Sequence, residues 1–158
     1  MAASLESSEA DEVFSMQGGF KEETSTIDFH LNNILQRMGG ALVRNKSHVF
    51  YVGRSGFYLT INTVTSGASM SLIFCDGKVP DSVACKMKIT GIETEYSIPF
   101  SDVNLWAKPQ IVKGKRYKCV GKITVQQVSQ LPNNILQLHC SVTTLTKTKD
   151  GLETKILR

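Results

Sequence analysis

From Asn45 onward, apolar and polar residues change places every second position, in short runs closed by glycine, proline and asparagine. A period of two puts alternate side chains on opposite faces, the mark of a half-buried β-strand. The runs HVFYV (48–52), FYLTINTVT (57–65), VACKMKIT (83–90), YSIPF (96–100), RYKCVGKITVQQV (116–128) and ILQLHCSVTTLTK (135–147) are predicted as strands. MSLIFC (70–75) is apolar almost throughout and predicts a strand covered on both faces. Pro99 places YSIPF at an edge or a strand end. Leu131-Pro132-Asn133-Asn134 predicts a hairpin turn between the last two strands, and 101–115 reads as a long connection carrying Leu105 and Trp106.

Before Asn45 the spacing differs. Ile27, Leu31, Ile34, Leu35 and Met38 fall on one stripe of an α-helix. Thr26 or Asp28 can cap its start and Gly39-Gly40 can end it, so a helix is predicted over 27–38. Residues 1–25 are polar, acidic and serine-rich, too poor in apolar surface to offset the entropy of ordering, and predict a disordered tail. Val13, Phe14 and Met16 would be its docking segment, if it has one. The expected architecture is α+β and mainly β: about seven antiparallel strands packed with one N-terminal helix. It forms a single domain over 26–148, followed by a flexible tail over 149–158.

Charge changes this picture by dividing the chain. Residues 1–28 hold seven acids and one base, whereas the remainder holds 17 bases and seven acids, so the formal net charge of +4 conceals an acidic arm on a basic body. The bases concentrate in KPQIVKGKRYKCVGK (108–122), where six of them stand with no acid. Strand alternation sets Tyr117, Cys119, Gly121 and Ile123 on one face and Lys118, Val120, Lys122 and Thr124 on the other, with Lys108, Lys113, Lys115 and Arg116 in the preceding loop. Lys86 and Lys88 repeat the outward lysine pair on another strand. These eight residues are the predicted polyanion-binding set. An antiparallel sheet also needs a wet face, and lysine supplies one, but a solvated face usually mixes both signs.

The sequence carries no phosphate-binding glycine loop, no nucleophile elbow and no zinc-protease helix, so an enzyme, a cofactor and a metal are not expected. His139 and Cys140 are neighbours on a strand, point to opposite faces and cannot act as a pair. Cys75, Cys85, Cys119 and Cys140 lack C-x-x-C spacing and read as reduced thiols, most of them on apolar faces. The leader MAASLESSEADEVF has no basic and apolar regions of a signal peptide, which predicts an intracellular protein.

The order of acidic leader, helix IDFHLNNILQRM, sheet HVFYVGRSGFYLTINTVT and basic KPQIVKGKRYKCVGK resembles the layout of the small matrix proteins of plant rhabdoviruses and their negative-strand relatives. The leader is acidic where many matrix leaders are basic, and the P-P-x-Y motif is absent. The resemblance implies a non-enzymatic viral assembly protein of the host cytoplasm and the virion. Such a protein self-associates, binds an anionic lipid surface and holds ribonucleoprotein or RNA backbone without sequence specificity. It implies polyanion contacts at Lys113, Lys115, Arg116, Lys118 and Lys122, and assigns Leu105 and Trp106 as the anchor in lipid or in a neighbouring subunit. A β-sandwich capsid or nucleic-acid-binding protein is the alternative from the strand count. An adaptor that binds proteins through the acidic arm is another.

Overall fold

A computed structural model describes residues 19–39, 42–108 and 114–148. The described residues are mainly β, with nine strands: β1 (Phe20–Asn32), β2 (Val43–Lys46), β3 (Phe50–Val52), β4 (Ser55–Val64), β5 (Gly67–Gly77), β6 (Ser82–Ile89), β7 (Ile92–Ser101), β8 (Arg116–Thr124) and β9 (Ile135–Lys147). Two helices of about one turn, α1 (Ile34–Arg37) and α2 (Val125–Ser129), complete it. One antiparallel sheet has the order β1-β9-β6-β7; the other has the order β2-β4-β5-β8, with β3 also paired to β4. None of the helices described is long and apolar enough to cross a membrane.

The expected N-terminal helix is corrected to a strand. Ile27 and Leu31 are four apart, a spacing that falls on one face of a helix and equally on one face of a strand. The intervening Phe29 and the polar Asp28, His30 and Asn32 decide for the period of two. Thirteen residues of β1 lie antiparallel to β9, from Phe20 opposite Lys147 to Asn32 opposite Ile135. Residues 20–25, expected in the tail, belong to this ladder; Thr24 and Thr143 share a hydroxyl hydrogen bond of 2.9 Å across it. Only Ile34–Arg37 is helical, entered through Asn33 in the left-handed conformation (φ 54°, ψ 47°). Residues 1–18 and 149–158, the rest of the two predicted tails, lie outside the described residues.

The second correction concerns residues 116–134. The predicted strand 116–128 ends at Thr124, because Thr124-Val125-Gln126-Gln127 is a capping box. The Thr124 hydroxyl accepts from the Gln127 N–H at 3.2 Å, and the Gln127 side chain accepts from the Thr124 N–H at 2.9 Å. Helix α2 then carries the chain from one sheet to the other, so β8 and β9 are not a hairpin.

Inward side chains of both sheets form one core. Leu136, Leu138, Cys140 and Val142 of β9, Val83, Cys85, Met87 and Ile89 of β6, and Leu59, Ile61, Met70 and Leu72 of β4 and β5 are all buried in it. Phe57 stands at its centre, stacked on Phe50 at 6.1 Å and edge-on to Phe74 at 5.7 Å between ring centroids. At the β7–β8 margin the sheets approach so closely that a β-carbon on Gly121 would lie 2.5 Å from the Tyr96 ring.

That approach makes a prediction. Gly121→Ala should destabilise the fold by about 1–3 kcal/mol through overpacking. Combined with Tyr96→Ala it should cost less than the sum of the two single changes, since the second removes what the first strikes. Urea unfolding of the two single variants and the double variant measures this, and strict additivity would refute the close approach.

Candidate polyanion-binding face

Strand β4 buries Phe57, Leu59 and Ile61 on one side and turns Tyr58, Thr60 and Asn62 to the other, where Tyr58 and Thr60 are themselves buried beneath neighbouring side chains and Asn62 is half-buried. Strand register extends this outer surface sideways. Arg44, Asn62, Ser69 and Lys122 lie in one row across β2, β4, β5 and β8. The next row is Lys46, Thr60, Ser71 and Cys119, and beyond it come Tyr58, Ile73 and Tyr117. Three steps between strands of about 4.8 Å each put Arg44 and Lys122 about 14 Å apart at their backbones.

Lys115 reaches this surface from the loop before β8. Its ammonium donates to the Tyr58 hydroxyl at 3.3 Å and lies 5.1 Å from the centre of that ring. Lys46 approaches the same ring at 5.6 Å. The negative face of an aromatic ring holds such cations at about 0.5–1 kcal/mol each at exposed sites. Arg44, Lys46, Lys115 and Lys122 thus stand together on a floor of hydroxyls and one amide, and none of the three rows contains an acid. Asp76, the acid at the end of β5, is engaged by the Tyr51 hydroxyl. Asn62 Oδ1 is buried in the floor without a hydrogen-bond partner among the described residues.

A β-bulge decides which predicted bases belong here. The β5–β8 register shifts between Met70 and Ser71, so Gly121 opposes Met70 while Cys119 opposes Ser71. Val120 becomes the extra residue and turns inward, buried in the core. The predicted alternation therefore fails below the bulge. Lys122 remains outward, but Lys118 stands beside Leu72 and Arg116 beside Phe74, on the core side of the open sheet margin. Arg116 Nη1 donates to the Lys115 carbonyl at 3.1 Å, and its Nε is buried without a partner. Cys119, expected on the inward face, is exposed on the outer one. Lys108 is exposed just after the bridge between Ala107 and Tyr117, and Lys113 lies outside the described residues.

Lys86 and Lys88 are not part of this face. They project from the outer surface of the other sheet, where Lys88 lies opposite His139 and His139 opposite Asp28. Asp28 Oδ1 bonds His139 Nδ1 at 2.7 Å, and His139 Nε2 bonds the Thr90 hydroxyl at 2.9 Å. The order carboxylate, imidazole, hydroxyl is that of a catalytic relay, but it lies on a solvated sheet surface, with the Asp28 side chain 73% exposed. There it acts as a polar ladder between strands. With Glu93 and Glu95 on the adjacent β7, this surface mixes both signs, as an ordinary wet face does.

The Leu105–Trp106 pair is divided. Leu105 is 83% exposed at the tip of a 3-10 turn, whereas Trp106 is 4% exposed and donates its indole N–H to the Ser101 hydroxyl at 2.9 Å. Trp106 is a core residue, which corrects its assignment as an anchor. The thiols of Cys85 and Cys140 are buried 3.3 Å apart. Hydrogen bonding to Cys85, reinforced by burial, holds the Cys140 thiol well above its usual range. Among the described residues, no group of three His, Cys, Asp or Glu side chains is placed to hold a metal.

Arg44 and Lys46 were missed by sequence reasoning. The run VRNK (43–46) alternates in the manner of a strand, but four residues beside a presumed helix end are too few to establish a period. The chain matches no family model and no curated protein.

The four cysteines test this placement. At about pH 8 an alkylating reagent should modify Cys119 first. Cys75, whose thiol is raised mainly by burial and further by Asp76 against the lowering effect of Lys115, should follow more slowly. Cys85 and Cys140 should react only as the protein unfolds. Mass spectrometry of the labelled peptides reads the order, and rapid labelling of Cys140 would contradict the packing of β9.

Proposed function

We propose that this protein is a non-enzymatic, sequence-independent binder of single-stranded nucleic acid, acting through the outer face of the β2-β4-β5-β8 sheet. The observation that carries the reading is the convergence of Arg44, Lys46, Lys115 and Lys122 on three strand rows that contain no acid. Such a surface attracts a phosphate backbone, and each contact releases condensed counterions. A broad sheet face fits an open strand better than a duplex groove, which admits a helix or a two-stranded ribbon. Tyr117, 39% exposed and two residues from Lys115, offers a ring for a base to stack on.

The assembly-protein expectation is carried forward in its nucleic-acid part. Its membrane part rests on charge, worth on the order of 1 kcal/mol per base near an anionic leaflet, with Leu105 as its apolar contact now that Trp106 is folded away.

Anisotropy titrations of a fluorescent oligo-uridine over a range of salt test the proposal. Replacing both Arg44 and Lys122 by glutamine should weaken binding and reduce the slope of log affinity against log salt by about 1.4, two contacts at about 0.7 each. Tyr117→Ala should weaken binding by about 1–3 kcal/mol without changing that slope. Flotation with anionic vesicles at matched salt, with no oligonucleotide binding, would transfer the face to membranes and overturn the reading.

A further inference from the structure

At one end of the sandwich the start of β1, the end of β9, the β3–β4 turn and the β5–β6 connection border a polar cavity of about 160 Å3 that opens to solvent. Four cations line it, Lys21, Arg54, Lys78 and Lys147, together with the carboxylate of Glu23. None of these bases belongs to the outer face described above.

The cavity is held by backbone hydrogen bonds. The Lys78 N–H donates to the Arg54 carbonyl at 3.0 Å, and the Ser55 hydroxyl donates to the Lys78 carbonyl at 2.6 Å, which fixes Arg54 and Lys78 side by side. On the opposite wall Thr148 N–H donates to the Gly19 carbonyl at 2.7 Å, and Lys147 N–H donates to Asp81 Oδ2 at 2.6 Å. Gly53, at φ 58°, lets the β3–β4 turn pass directly over Glu23; a β-carbon there would fall 2.3 Å from the carboxylate.

The charges do not balance within this wall. Lys21 and Glu23 lie 4.0 Å apart and offset one another. Arg54, Lys78 and Lys147 form no ion pair among the described residues; the Asp81 carboxylate, which accepts from the Lys147 N–H, offsets part of their charge and leaves the wall positive. Three like charges gathered around one concavity repel, and an anion in that space relieves them. A guanidinium offers paired N–H donors to an oxyanion, two ammoniums add point charges, and Thr146 and Thr148 add hydroxyls.

We propose that this cavity is a binding site for a phosphate group, carried either as the free ion or as a small phosphomonoester. The proposal is independent of the nucleic-acid reading, because the residues of the two surfaces do not overlap.

The test is a titration of the isotopically labelled full chain with inorganic phosphate, followed by amide chemical shifts, with sodium chloride adjusted to hold ionic strength constant. Saturable shifts centred on Ser55, Lys78 and Thr148 are expected. Arg54→Gln and Lys147→Gln should each weaken the apparent affinity by about tenfold, the loss of one charge-assisted contact. Lys122→Gln should leave it unchanged, which separates this site from the outer face. Phosphate should also raise the melting temperature of the native chain above that in equal-strength chloride, and should not do so in the Arg54→Gln variant. Phenyl phosphate binding as tightly as phosphate assigns the site to esterified phosphate; binding of the inorganic ion alone assigns it to the free ion. Shifts that rise linearly without saturating, that centre on Lys46 and Lys122, or that persist in both variants would overturn the proposal.

Discussion

Strand β9 is the interaction on which the rest of the structure depends. It is the last strand in the chain and an interior strand of its sheet, paired along its whole length with β1 on one side and along eight residues with β6 on the other. Its inward residues Leu136, Leu138, Cys140 and Val142 are among the most buried in the protein. The first strand therefore has no sheet to join until the last one is in place. Pairing of such sequence-distant segments must overcome loop-closure entropy before any contact rewards it, which makes this a slow-folding topology. The same ladder brings the start of β1 against the end of β9, and so builds one wall of the basic cavity as a direct result of the sandwich closing.

The second constraint is a single extra residue. Without the bulge at Val120, β8 would continue its alternation and Lys118 would point outward with Lys122. With it, Val120 fills the core and Tyr117 and Cys119 turn to the outer face. The bulge thus exchanges a lysine for an aromatic ring on the candidate surface. The charge on that surface is supplied instead by Arg44 and Lys46 of β2 and by Lys115 of the loop.

These two features mark the limits of what the sequence makes legible. Periodicity located β4, β6 and β9 to within two residues, because each alternates apolar and polar residues and that pattern is local. It misread 27–38, where a spacing of four satisfies helix and strand alike and the partner that decides between them lies over a hundred residues away. The capping box at Thr124 was readable and would have ended β8 correctly. The bulge had only a weak sign, the glycine inside RYKCVGKIT, which does not fix the residue at which the register shifts. The structure divides the predicted basic set. Lys86 and Lys88 fall on one sheet, Lys115 and Lys122 on the other, and Arg116 and Lys118 at its margin.

The outer face of the β2-β4-β5-β8 sheet admits a more ordinary account, which the geometry weighs against. Strands β2 and β8 are the two margins of that sheet, and charged residues on edge strands prevent pairing with another copy. Arg44, Lys46 and Lys122 would serve that purpose. Edge protection, however, works with either sign, and the other sheet of this protein meets the same need with Glu93 and Glu95 beside its lysines. It gives no reason for Lys115, which belongs to neither margin and nonetheless folds over the centre of the sheet to bond Tyr58. A loop lysine drawn to the middle of an already positive surface adds repulsion that edge protection does not require. Repulsion of that kind is useful where an extended anion lies across the sheet and contacts all four cations at once.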